Sequence, residues 1–68
     1  MNRKEIIETL SQDGSYVIHF LNERRSINIG EKNRNFDKAG NLESIRIWGE
    51  DIGDETIGID QIHSVETK

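Results

Sequence analysis

Half of the apolar residues in this chain are isoleucine: eleven of 22, set in short clusters from Ile6 to Ile62. A side chain branched at Cβ is stiff at χ1 and sits better on a pleated strand than on a helix. Val17 and Val65 raise the number of such aliphatic residues to thirteen, no Pro interrupts them, and six Gly supply turns. The chain is therefore expected to be mostly β. Sixty-eight residues make one domain near the lower limit of independent folding, burying roughly 60% of its unfolded surface. Chains of this size usually add disulfides, a metal or oligomerisation. With no Cys, disulfides and thiolate metal sites are excluded, which leaves self-association or a bound partner.

The N-terminus departs from the β pattern. Ile6, Ile7 and Leu10 fall on one helical face, Asn2 can cap the helix, and Glu5 completes a capping-box pair. A helix over about 3–12 is expected, stopped by Gly14. At that length it is stable only when docked. Tyr16, Ile18 and Phe20 then alternate with Val17, His19 and Leu21, so that both faces of the first strand read as apolar. Asn22-Glu23-Arg24 reads as a turn, and Ser26-Ile27-Asn28-Ile29 as a strand with both Ile inward. After a polar stretch from Gly30 to Asn35, the cluster Asp37…Gly40-Asn41 signals a tight turn. Leu42, Ile45, Ile47 and Trp48 mark the third strand, followed by a polar loop from Gly49 to Glu55. Thr56–Ile59 and Ile62–Val65 give two more, joined by a short turn at Asp60-Gln61. The expectation is α+β and mostly β: an N-terminal helix, then a five-stranded bent meander over about 15–66. Closure into a small barrel would remove exposed edges.

Charge is uneven. Residues 22–46 carry six cations against four carboxylates, whereas residues 47–68 carry Lys68 alone against six. The net charge is −4, which disfavours generic phosphate binding. If the fold keeps the two segments apart, the domain is electrically two-sided. No apolar run approaches the roughly 20 residues that span a bilayer, and no secretory leader is evident, so the cytoplasm is the expected location.

Chemistry-bearing residues are few. His19 and His63 lie inside strand patterns with no nucleophile and orienting group beside them, so both read as structural rather than catalytic. Glu50, Asp51, Asp54 and Glu55 form an acidic cluster without the spacing of a calcium loop, so they read as a solvated loop, and no metal or cofactor is expected. Trp48 follows Ile45 and Ile47 with opposite parity, on the side of Arg46. It either packs partly under a neighbouring element or stands out as an aromatic anchor of the kind that dominates binding hot spots. Arg24, Arg25 and Arg34 with Phe36 could form a basic and aromatic surface.

Leu21-Asn22 and the run Phe36-Asp37-Lys38-Ala39-Gly40-Asn41-Leu42 resemble the first signature of Sm-like proteins, in which Phe-Asp ends one strand and Asn-Leu opens the next. Ile57 to Val65 is similar in position to their second signature. The resemblance implies a small SH3- or Sm-like barrel that binds RNA as an oligomeric ring, with Asp37, Gly40 and Asn41 near a base pocket and Arg24 and Arg25 on the RNA. The residues themselves support a different first expectation: a small, non-enzymatic binding module, bacterial or phage in style, that contacts a larger protein. Its contact surface would be Trp48 with Glu50, Asp51, Asp54 and Glu55, met by a basic face of the partner.

Overall fold

In the computed structural model, which describes residues 1–49 and 53–68, a helix precedes six strands. They are α1 (Arg3–Leu10), β1 (Gly14–His19), β2 (Arg24–Ile29), β3 (Arg34–Phe36), β4 (Leu42–Gly49), β5 (Gly53–Gly58) and β6 (Ser64–Thr67). Single 3-10 turns at Glu31–Asn33 and Ile59–Gln61 link β2 to β3 and lead from β5 towards β6. The strands form two antiparallel three-stranded sheets, ordered β2-β1-β6 and β3-β4-β5. No ladder joins the two sheets among the described residues, so the domain is two facing sheets rather than a closed barrel.

The helix begins as its residues dictate. Asn2 Oδ1 accepts the Glu5 amide at 2.9 Å, and Glu5 Oε1 accepts the Asn2 amide at 3.2 Å. It ends two residues earlier than its apolar spacing suggested, with Ser11 as a right-handed C-cap. Gly14 therefore does not stop the helix but opens β1. The last helical carbonyls, which have no partner within the helix, find tertiary ones. The Tyr16 hydroxyl lies 2.9 Å from the Thr9 carbonyl, and Arg34 Nε donates to the Leu10 carbonyl at 2.8 Å.

Ile6 and Leu10 of the helix join Tyr16, Ile18, Ile29, Leu42, Ile45, Ile47, Ile57, Ile59, Ile62 and Val65 in one core. Burying a side chain of this size is worth about 1.5–3 kcal/mol each, and that burial holds helix and sheets together. Only one face of β1 belongs to this core. Val17 and His19 are half-buried, and Leu21 is exposed in the β1–β2 turn, so the expectation of two apolar faces fails there. The Phe20 amide donates to the Glu23 carbonyl at 2.7 Å, which centres that turn on Leu21-Asn22.

The turn at Asp37 forms as expected. Asp37 Oδ1 accepts the Ala39 and Asn41 amides at 2.9 Å each, and Gly40 takes φ +85°, where a Cβ would be strained. Other boundaries shift. Asp54 and Glu55 lie within β5, paired with Trp48 and Ile47, and not in a loop. Strand β3 is a sixth strand inside the polar stretch, paired with β4 through Arg34↔Ile45 and Asn35↔Ser44.

Candidate functional site

The strand alternation of β4 decides where its chemistry faces. Ile45 and Ile47 point into the core, and Trp48 lies on the other side with Arg46, 51% exposed. Trp48 is thus an uncovered aromatic at the end of β4. It borders a cavity of about 500 Å³ whose lining also includes Ile27 and Ile47 beneath, Ser26 and Asn28 on β2, and Asn33 and Arg25. The cavity occupies the opening between the outer edge of β2 and the part of β4 that extends beyond β3.

The backbone directions follow from the ladders. In an antiparallel strand, successive residues send their N–H and C=O to opposite sides. The Lys68 amide donates to Ser15 at 2.9 Å and the His63 amide to His19 at 2.8 Å, so the odd residues of β1 face β6 and the even ones face β2. With Tyr16↔Ile27 and Ile18↔Arg25 as partners, Arg25, Ile27 and Ile29 bond inward to β1, and Arg24, Ser26 and Asn28 aim outward. On β4, the Arg46 carbonyl accepts Asn33 Nδ2 at 2.9 Å on the β3 side. Trp48, two residues on and beyond the last β3 pair, sends its N–H and C=O the same way.

Asn33 joins the two edges. Its Oδ1 accepts the Gly30 amide at 2.9 Å, while its Nδ2 donates to Arg46. One side-chain amide thus links Gly30, the residue after β2, to β4 at the closed end of the opening. Sequence reasoning passed over Asn33 because it lies in a polar run. The only available signal was an amide side chain three residues after a glycine.

The charges are arranged differently from the sequence expectation. The basic and acidic segments are not kept apart. Arg25 pairs with Glu55 at 2.7 Å and Arg46 with Asp54 at 2.5 Å, while Arg3 pairs with Asp60. Glu50 and Asp51 lie outside the described residues. Asp54 and Glu55 do flank Trp48, as partner and next residue across the β4–β5 ladder, but each already holds an arginine.

The residues expected to face RNA are dispersed in role. Arg24 is exposed on β2, and Arg25 is engaged by Glu55. Asp37, Gly40 and Asn41 form the β3–β4 turn, where the Asp37 carboxylate is committed to main-chain amides. Arg34 cannot contribute to a basic surface: its side chain is only 8% exposed and is bound to the helix C-terminus and to Asp13. Phe36 is exposed. His19 Nε2 lies 3.5 Å from Glu66 on the neighbouring strand, and His63 is exposed. Among the described residues, no three His, Cys, Asp or Glu side chains converge as a metal site would require, and no helix is long and apolar enough to cross a membrane. Compared with protein-family models, with curated proteins and with solved structures, the chain matches none of them.

Proposed function

We propose that this domain is a small, non-enzymatic binding module that contacts a partner protein through the Trp48 end of β4. One observation carries the reading: a half-exposed tryptophan at the rim of an open cavity of about 500 Å³ with an isoleucine floor. Trp is the residue most enriched at interface hot spots, above all where it borders a pocket that excludes water on binding. Asp54, across the ladder on Trp48's own face, and Glu55, on the Ile47 face and bound to Arg25 of the cavity lining, supply a polar rim. Because Arg46 and Arg25 hold these carboxylates, the rim orients a partner more than it attracts a basic one. The domain would work in the cytoplasm on a larger protein.

The test is a photoreactive amino acid placed at Trp48 and, as a control, at exposed Lys38 on the β3–β4 turn, in cells that make the protein. Protein adducts specific to position 48 are expected. Adducts to RNA, or equal protein adducts from both positions, would overturn the reading.

The runner-up is an Sm-like RNA binder acting as a ring. Two features support it: β6 returns to pair with β1, and the Asp37–Asn41 turn forms. Mass in solution separates the two readings, because a ring requires five or more copies.

A further inference from the structure

We propose that the opening between β2 and β4 is a strand-addition slot, filled by an extended, proline-free segment of the partner protein. This rests on the protein-binding reading above and specifies its mode. Four observations lead to it.

First, the slot is bordered on both sides by outward-aimed main chain. Ser26 and Asn28 face it from β2, and Trp48 faces it from β4. No hydrogen bond among the described residues engages these groups. Exposed strand edges of this kind template the pairing of another strand.

Second, Asn33 shows what fits. A peptide group in a strand offers C=O to one neighbour and N–H to the other, and the Asn33 amide does the same for the Gly30 N–H and the Arg46 C=O at 2.9 Å each. A gap bridged by one amide is the gap that one strand fills. The edge from Arg24 to Asn28 is roughly 14 Å long at about 3.4 Å per residue, room for four or five extended residues.

Third, the floor selects a side chain. Half-buried Ile27 and buried Ile47 lie beneath the slot, so alternate residues of the incoming segment should be aliphatic, and those between them meet Trp48 at the rim.

Fourth, the alternatives lack the chemistry. The outward carbonyls require N–H donors, which a phosphodiester backbone does not offer, and Arg25, the arginine that lines the cavity, is paired with Glu55. A second copy of the chain has no suitable strand to give, because the isoleucines of its described strands already sit in or against its own core.

The test uses the intact protein, a displayed library of random seven-residue peptides, and two variants. Ser26→Pro removes an outward N–H and places a ring on the edge, but breaks no bond to β1, since proline is tolerated at such positions. Trp48→Ala removes the rim aromatic. Circular dichroism and thermal melting establish that both variants fold.

Enriched peptides should alternate aliphatic residues and shift the amide resonances of Ser26, Asn28 and Trp48. Their affinity should fall about tenfold or more in Ser26→Pro, and likewise when alternate peptide nitrogens are methylated, about the effect of losing one or two main-chain hydrogen bonds. Peptides that require Trp48 but tolerate both Ser26→Pro and N-methylation would overturn strand addition while leaving the binding-module reading intact. Failure to enrich any peptide, with RNA bound instead, would overturn both. Concentration-dependent dimerisation abolished by Ser26→Pro would make the occupant a second copy and overturn the partner assignment. If Ser26→Pro does not fold, peptide N-methylation decides the question on the wild-type protein.

Discussion

Replacing Arg34 with alanine should cost this domain more than any other single change of a charged residue. The Arg34 side chain is 8% exposed, and its guanidinium fastens β3 to the end of α1 through the Leu10 carbonyl at 2.8 Å and Asp13 at 2.8 Å. A hydrogen bond from a charged donor to a buried carbonyl is worth about 1.5–3 kcal/mol. The Asp13 carboxylate is 72% exposed, so that pair adds at most about 0.5–1 kcal/mol after solvent screening. Against these stands Nη2, buried without a partner among the described residues, a desolvation cost of about 1–3 kcal/mol that the substitution removes. The packing of the aliphatic stem is lost as well. The expected net destabilisation is about 2 kcal/mol. For a domain of this size, about 1 kcal/mol moves Tm by roughly 4–8 °C, so the melting point should fall by roughly 8–16 °C. Urea denaturation monitored by circular dichroism gives the same quantity from a shifted midpoint at constant slope. Asp13→Asn is the control and should cost no more than about 1 kcal/mol. If Arg34→Ala melted within a degree or two of the wild type, or if Asp13→Asn were equally damaging, Arg34 would be a surface charge and the account of its role would be wrong.

Other outcomes follow from the same structure. Asn2→Ala removes the capping box and should lower stability by about 1 kcal/mol, seen as a reduced urea midpoint. Gly40→Ala should cost about 1 kcal/mol from backbone strain alone, because φ is +85° and nothing lies within 4 Å of the added methyl. Ile45→Ala, at a fully buried site, should cost about 2–5 kcal/mol and leave little folded protein at 37 °C. Trp48→Ala should alter stability by no more than about 1 kcal/mol while abolishing partner binding, which titration calorimetry against a selected peptide would separate.

Much of the fold was legible where side chains announce it. The Asn2–Glu5 cap, the inward isoleucines of β2 and β4 and the Asp37–Gly40 turn are local patterns, and each formed. The misses share a cause. Strand β3 escaped because no apolar alternation betrays it: its ladder to β4 is main chain, and the Asn35 side-chain amide, donating to the Ser44 hydroxyl beside it, reads as an ordinary polar residue. Arg34 reads as a solvated cation until the helix terminus that needs it is in view. Asp54 and Glu55 read as a loop because polar runs do, yet the β4–β5 ladder takes them in and runs on to the Gly49↔Gly53 pair. Of the candidate site, the parity of β4 placed Trp48 opposite Ile45 and Ile47, but whether another element covers that face was not legible from the strand alone. The opening beside it depends on how two sheets sit together, and Asn33 acquires its role only from strands distant in sequence. The expected separation of charge failed for the same reason, since Arg25–Glu55 and Arg46–Asp54 are tertiary and cross-strand pairings.

The open edges between the sheets are the basis of the functional account, and amide hydrogen exchange on the free monomer measures them residue by residue. Amides bonded within a stable sheet exchange only through opening, whereas those aimed at solvent exchange freely. Ile27 and Ile29, bonded to β1, and Ile47, bonded to β5, should be protected by orders of magnitude relative to Ser26, Asn28 and Trp48. Fast exchange at those three positions, slowing when a selected peptide is added, is the predicted result. If Ser26, Asn28 and Trp48 were as protected as Ile27 in the free monomer, β2 and β4 would be directly joined into a closed barrel, and no slot would exist to be filled.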